Sequence, residues 1–90
     1  MEDEEEGRLV PDRDFKEIWK DKEGYFHRLN GPAIIYTDGD MDWYIHGQRH
    51  RDDGPAIDWP YGRIEEWWKD GEPYEPSAHD LILWKMKKKE

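Results

Sequence analysis

Residues 27–34 read HRLNGPAI, and 23 positions later residues 50–57 read HRDDGPAI. The similarity continues along the chain, because the aromatic pair Trp43-Tyr44 corresponds to Trp67-Trp68, with one extra residue in the second copy. A fixed period of this size is typical of stacked supersecondary units, each of which cannot bury its apolar face alone. The sequence therefore predicts a repeat protein, and repeat arrays usually bind other molecules.

Turn residues divide each repeat into two short β-prone runs. In the first repeat, Asp38-Gly39 is a strong two-residue turn signal between the run at 33–36 and a return strand at 41–45. In the second repeat, the turn at Tyr61-Gly62 separates the runs at 57–59 and 64–68. His46-Gly47 and Asp70-Gly71 turn the chain at the end of each unit. We therefore predict a mainly β fold, an antiparallel β-hairpin repeat meander followed by a short C-terminal helix.

The two copies also predict which side of each strand is buried. Ile34 corresponds to Ile57, and Tyr36 corresponds to Trp59, so that side is apolar in both repeats and should face the core. Ile35 corresponds to Asp58, which predicts a solvent-facing side for Asp58.

The chain divides into three parts. Residues 1–14 form an acidic tail, and residues 15–76 form the repeat domain, with units at about 15–30, 31–53 and 54–75. Residues 77–90 form a helix with a basic end, because Ser77 and Asp80 make an N-terminal capping pair and lysines lie where the helix dipole favours cations. We expect Leu81 and Trp84 to pack this helix on the sheet or at its open end, since so small a sheet needs a second layer.

Composition limits the classes of function. The net charge is −9, which disfavours direct binding of nucleic acid and favours a basic protein partner. The chain has no cysteine, and it contains no run of about 20 apolar residues that would span a bilayer. The N-terminus is acidic where a secretory signal would be basic and then apolar. We therefore expect a cytoplasmic protein without stable membrane association, for which oligomers remain possible.

The pattern as a whole resembles the MORN repeat in a variant form. The resemblance covers about residues 15–75 and rests on the 23-residue period, the aromatic followed by a glycine turn, the His-Arg pair and the Gly-Pro-Ala run. The His-Arg-x-x-Gly-Pro-Ala form is also similar to small uncharacterised repeat proteins of bacteriophages and giant viruses. This resemblance implies a twisted hairpin array with a binding or scaffolding role and no catalytic residues. The chain departs from the pattern at Arg28 and Arg51, where glycine is expected.

The His-Arg pairs have two interpretations. In the first, guanidinium and imidazole groups bind an anion such as a phosphate. In the second, Arg28 and Arg51 form a ladder of ion pairs with carboxylates of neighbouring strands, such as Asp42, Glu66 or Asp53. The residues of the anion-binding interpretation are His27, Arg28, Arg49, His50 and Arg51.

The leading functional hypothesis is a non-enzymatic binding protein. In this hypothesis, a small phage or viral accessory protein inhibits a basic host protein, such as a nucleic-acid-binding or defence protein, through an acidic, aromatic-rich β-surface. The predicted partner-binding residues are Asp40, Asp42, Tyr44, Glu65, Glu66 and Trp68. The alternatives are a protein that sequesters an anionic nucleotide and a structural assembly module. Neither a catalytic group nor a metal site nor a cofactor is predicted, because the histidines and carboxylates show no ligand or active-site spacing.

Overall fold

The computed structural model describes residues 14–60 and 63–88. Their fold is mainly β with one C-terminal helix, so the predicted fold class is confirmed. The strands and the helix are β1 Phe15–Ile18, β2 Ile34–Tyr36, β3 Met41–Asp42, β4 Tyr44–Ile45, β5 Gln48–Arg49, β6 Ile57–Trp59, β7 Ile64–Glu66, β8 Trp68–Lys69, β9 Glu72–Pro73 and α1 Ala78–Lys88. The predicted turn at Tyr61-Gly62 and nearly all of the predicted acidic tail lie outside the described residues.

A five-stranded antiparallel sheet forms one side of the molecule, with the order β1-β2-β3-β6-β7. The strands of this sheet occur in the same order along the chain, so the sheet is a meander. Strands β4 and β5, which lie between β3 and β6 in the chain, form a separate hairpin. The predicted single return strand at 41–45 is wrong in one respect, because the strand breaks at Trp43. The strand predicted at 64–68 breaks in the same way at Trp67.

The breaks create a second row of small hairpins beside the sheet. Strands β4-β5 and β8-β9 are two-stranded ladders, and the bridge between Lys20 and Phe26 is a degenerate third member. Backbone hydrogen bonds join successive members, since the Gly47 N–H donates to the Phe26 carbonyl at 2.8 Å and the Gly71 N–H to the Arg49 carbonyl at 2.9 Å. The repeat period therefore generates two parallel rows of structure.

Both predicted unit-end turns are present in the second row. His46 and Gly47 have φ values of 46° and 82°, and Asp70 and Gly71 have 52° and 81°. Two consecutive residues with positive φ define the type I′ turn that suits the twist of a two-residue hairpin. Asp38-Gly39 also lies in a turn between two paired strands, with Gly39 at φ 98°.

Helix α1 begins as the sequence predicts. The Asp80 N–H donates to Ser77 Oγ at 3.1 Å, and the Ser77 N–H donates to Asp80 Oδ2 at 3.0 Å. Each side chain therefore accepts a hydrogen bond from the backbone N–H of the other residue, as in a capping box. Packing differs from the prediction, because Trp84 is the buried residue of the helix whereas Leu81 is 37% exposed. The apolar residues Ile82, Leu83 and Met86 are also exposed.

The buried apolar core is small. Its apolar members are Ala33, Ile34, Ala56, Ile57, Trp67 and Trp84. Ile34 and Ile57 are buried, as the comparison of the copies predicts. The predicted solvent exposure of Asp58 is wrong, because this residue is buried and its carboxylate lies 3.8 Å from the Arg51 guanidinium. A buried arginine on that side of the sheet compensates a carboxylate that would otherwise need water.

Candidate binding surfaces

Strand register assigns the side chains of the sheet to two faces. Cross-strand partners share a face, as do residues two apart in one strand. One face carries Phe15, Ile18, Ile34, Tyr36, Asp42, Ile57, Trp59, Ile64 and Glu66. The other face carries Glu17, Ile35, Met41, Asp58 and Glu65. Helix α1 contacts the second face, since Trp84 Nε1 and Lys88 Nζ both donate to Glu65 Oε2.

Three aromatic rings cross the face opposite the helix, and we call them the aromatic strip. The ring centroids of Phe15 and Tyr36 are 5.3 Å apart, and those of Tyr36 and Trp59 are 6.3 Å apart with nearly perpendicular planes. Phe15 is 52% exposed, and Ile64, the cross-strand partner of Trp59, is also exposed. Because Glu66 lies exposed on the same face, the strip has an acidic border. Tyr36 and Trp59 are half-buried. A partly exposed aromatic cluster of this kind is typical of a protein-binding surface.

Asp42 holds two rings of the aromatic strip by hydrogen bonds. Its carboxylate accepts hydrogen bonds from the Tyr36 hydroxyl at 3.0 Å and from Trp59 Nε1 at 2.7 Å. Asp40 and Asp42, which the sequence predicts to bind a partner, are both buried, so neither carboxylate is exposed to one. A buried carboxylate is stabilised by donors, and Asp42 fixes the orientation of two rings of the strip.

The other predicted partner-binding residues lie in two places. Glu65 and Glu66 are exposed on opposite faces of β7. Tyr44 and Trp68 are half-buried in the second row, where Tyr44 packs on Phe26 at 5.4 Å between ring centroids. Trp68 stacks under the Arg49 guanidinium at 4.8 Å. Neighbouring hairpins therefore cover most of these two aromatic rings.

Each arginine of the His-Arg pairs forms a platform with a tryptophan and a glycine. The Arg51 guanidinium stacks on Trp43 at 3.9 Å and donates to the Pro55 carbonyl at 3.2 Å, and it also bonds Asp53 at 2.9 Å. One repeat earlier, the Arg28 guanidinium stacks on Trp19 at 4.0 Å and donates to the Pro32 carbonyl at 3.3 Å. Arg28 also lies 3.6 Å from Glu17.

These contacts favour the ladder interpretation of the arginines over the anion site. Asp53, one of the predicted partners, pairs with Arg51, whereas the other ion-pair partners seen are Glu17 and Asp58 in place of Asp42 and Glu66. Each guanidinium already lies beside a carboxylate and donates to a proline carbonyl, so a phosphate would have to compete with these groups. Trp19 and Trp43 lie 24 residues apart, close to the repeat period, and this spacing is the sequence signal that identifies the stacking partners.

The histidines of the pairs have a separate structural role. His27 Nδ1 accepts the backbone N–H of His46 at 2.9 Å, and His50 Nδ1 accepts the backbone N–H of Asp70 at 3.0 Å. Both donors are the first residues of type I′ turns, whose N–H groups point away from their own hairpins. Each histidine therefore holds the turn of the next hairpin in the second row.

Asp21, His27 and His46 form a cluster that the sequence does not predict. Their ligand-type atoms lie within 4.8 Å of one another, and His46 Nδ1 is 2.8 Å from Asp21 Oδ2. The pKa of Asp21 is lowered by this hydrogen bond, and backbone N–H donors add to the effect. A metal ion would compete with existing bonds, because His27 Nδ1 already accepts an N–H and the two imidazoles stack at 4.0 Å with nearly parallel planes. The arrangement fits a hydrogen-bonded clasp better than a metal centre.

A shallow groove of about 530 Å³ lies between the two His-Arg loops. Its walls come from Arg28, Leu29 and Asn30 on one side and from residues 50–53 on the other, with Trp43 and Ile45 at its base. Trp43 Nε1 is buried and has no hydrogen-bond partner among the described residues. The groove is therefore bordered by both platforms.

Two carboxylates beside Arg51 differ in electrostatic environment. Burial raises the pKa of Asp58, and the charge of Glu65 adds to this effect while Arg51 opposes it. Burial also raises the pKa of Asp53, but hydrogen bonds from Arg51 and Lys87 outweigh it and hold that pKa below its ordinary value. Arg51 thus lies between one carboxylate whose pKa is lowered and one whose pKa is raised.

Comparison of the chain with protein-family models, with characterised proteins and with solved structures gave no match. The resemblance to the MORN repeat therefore stays a prediction. Within residues 14–60 and 63–88, no helix is long and apolar enough to cross a membrane.

Proposed function

We propose that this chain is a non-enzymatic binding protein whose aromatic strip and acidic border bind a basic protein partner. The aromatic strip is the observation that carries the proposal. Its rings cross strands β1, β2 and β6 on the face opposite the helix. Phe15 at one end of the strip is exposed, and so is Ile64, the neighbour of Trp59 at the other end. Aromatic side chains are enriched at the centres of protein interfaces, where they bury large areas at low entropic cost.

The charge of the protein supports a basic partner. The net charge is −9, and Glu66 lies exposed on the face of the strip. Charges at the border of an interface act mainly on the rate of encounter, and their effect is screened by salt. A partner with a basic surface would therefore associate faster than a neutral one.

The rigidity of the strip also supports binding. Asp42 holds both Tyr36 and Trp59 by hydrogen bonds, so the rings lose little conformational freedom when a partner covers them. Preorganised aromatic anchors lower the entropic cost of association.

The narrower form of the proposal is a small viral accessory protein that inhibits a host protein in the cytoplasm. It rests on the resemblance of the repeats to phage repeat proteins. Sequestration of an anionic nucleotide is the weaker alternative, because Arg28 and Arg51 are both engaged by tryptophan, carboxylate and carbonyl groups. An assembly role of the repeat stack is a third alternative.

Charge reversal on the strip tests the proposal against a matched control. After capture of a partner from lysate and its identification by mass spectrometry, we expect Glu66→Lys to slow association by roughly two- to fivefold at low salt. Glu23→Lys changes the net charge equally but lies in an exposed turn of the second row, so its effect should be smaller. Phe15→Ala should chiefly accelerate dissociation.

Equal effects of the two lysine variants would mean that no specific acidic border is used. A purified protein that retains a nucleotide, and no protein, in native mass spectrometry would favour sequestration instead.

A further inference from the structure

The two arginine platforms are alike in geometry but differ in what covers them. The distance from guanidinium carbon to tryptophan centroid is 4.0 Å for Arg28 and 3.9 Å for Arg51. A Cβ placed on Gly31 or on Gly54 would lie 2.9 Å from the guanidinium carbon of its own arginine. Each glycine therefore lets the arginine lie flat against the backbone.

Trp84 of helix α1 covers the platform of the second repeat. Its ring centroid lies 4.8 Å from the Arg51 guanidinium, and its ring atoms would lie 2.9 Å from a Cβ on Gly54. Arg51 is thus held between two indoles, and its side chain is 7% exposed. Lys87 and Lys88 fix the helix by pairing with Asp53 and Glu65.

The platform of the first repeat has one indole in the described part of the chain. The Arg28 side chain is 28% exposed, and Trp19 beneath it is 45% exposed. The three atoms nearest to a Cβ on Gly31 all belong to Arg28, where Trp84 atoms are among those at Gly54. A guanidinium with one free face attracts the electron-rich face of an aromatic ring.

We propose that Arg28, Trp19 and Gly31 form a docking site for an aromatic side chain of the protein partner. The inference deepens the proposed function, on which it rests, by naming a second contact site and its ligand chemistry. Trp84 on Arg51 is the internal example of the occupied state. Asn30 and Met41 stand where the second repeat has Asp53 and Glu65, so the first site lacks the carboxylates that pair with Lys87 and Lys88.

Charge restricts the segment that carries the aromatic residue. Glu17 lies 3.6 Å from Arg28, and the net charge of the protein is −9. Both repel carboxylates, so the segment is neutral or basic around its aromatic side chain. The occupant is therefore a non-acidic segment of a partner protein, and it presents a tryptophan, the residue type that Trp84 places on Arg51 at the equivalent site.

A peptide with the sequence of residues 75–88 is a suitable probe, because its Trp84 already docks on the equivalent platform. We expect its addition to the full-length protein to shift the NMR signals of Arg28 Nε–H, Trp19 Nε1–H and the Gly31 amide. Arg28→Lys keeps the charge but removes the planar stacking group, and it should weaken binding by about tenfold. Gly31→Ala should weaken it as well, by displacing the guanidinium, and a Trp84→Ala peptide should bind neither site.

Three outcomes would overturn the inference. The first is the absence of shifts at millimolar peptide, and the second is equal binding by the Arg28→Lys protein. The third is shifts confined to Arg51 and Gly54, which would show exchange with the intramolecular helix. None of these results changes the expected difference between Glu66→Lys and Glu23→Lys, so failure of this inference is distinguishable from failure of the proposed function.

Discussion

The indole of Trp84 stacks on the guanidinium of Arg51, with 4.8 Å between the ring centroid and the guanidinium carbon. This contact joins the C-terminal helix to the second repeat, and the other apolar residues of the helix remain largely exposed. The helix is therefore attached through one buried side chain and two lysine ion pairs.

Substitution of Gly54 by alanine should detach the helix, because the new Cβ would lie 2.9 Å from the Trp84 ring. Overpacking of this kind costs about 1–3 kcal/mol. Urea unfolding and the Trp84 Nε1–H signal in NMR spectra would measure the loss. Gly31→Ala is the matched control, since its Cβ meets the flexible end of Arg28 and should cost less. Equal destabilisation by the two variants would contradict the proposed attachment.

Substitution of Asp42 by alanine should destabilise the protein and loosen the aromatic strip. The variant removes the acceptor of the Tyr36 hydroxyl and of Trp59 Nε1. Hydrogen bonds to a charged group contribute about 1.5–3 kcal/mol each, so we expect the loss of both to cost on the order of 3–6 kcal/mol. Denaturant unfolding measures it, and Glu23→Ala, an exposed carboxylate, should change stability by less than about 0.5 kcal/mol. A near-neutral Asp42→Ala would mean that the rings are held by packing alone.

The repeat pattern predicts much of the architecture, because equivalent residues of the two repeats make equivalent turns and occupy equivalent buried positions. The turns at His46-Gly47 and Asp70-Gly71, the buried Ile34 and Ile57, and the capping pair at Ser77 all follow from local rules. These features depend on backbone angles and periodicity, which a single sequence reveals.

The errors arise where a charged residue is buried with a partner on another strand or loop. Asp42 and Asp58 appear as surface carboxylates in the sequence, but Trp59 and Arg51 compensate them inside the structure. The sequence also does not reveal the break of the strand at Trp43. This break arises because the next two residues, Tyr44 and Ile45, pair with β5 in the second row of hairpins. Which strands and side chains meet in this way is not visible in local composition.

Replacement of His50 tests its role in holding the turn at Asp70. His50→Ala removes the acceptor of the Asp70 N–H, and we expect a loss of about 1 kcal/mol. The Asn side chain places its carbonyl oxygen near the position of the imidazole Nδ1, so His50→Asn should retain most of this stability. Thermal unfolding would compare the two variants, and hydrogen exchange of the Asp70 amide would localise the effect. Equal losses for alanine and asparagine would show that ring packing matters and the hydrogen bond does not.

The two carboxylates beside Arg51 should titrate on opposite sides of the ordinary aspartate range. The pKa of Asp58 is raised, so its ionised form costs stability at neutral pH, and this cost disappears as pH falls through the raised pKa. The pKa of Asp53 is lowered, so its contribution is present above the ordinary aspartate pKa and is lost as pH falls through the lowered value. Carbon-13 NMR of the two carboxyl groups would measure both titrations directly. Arg51 contacts both groups, so Arg51→Lys should raise both pKa values. The pKa of Asp53 should move closer to the ordinary value, because a hydrogen bond is lost. The pKa of Asp58 should move further above it, because the attraction of the guanidinium weakens. If the two carboxyl groups instead titrate together near the ordinary value, the guanidinium does not hold the geometry described for the second platform.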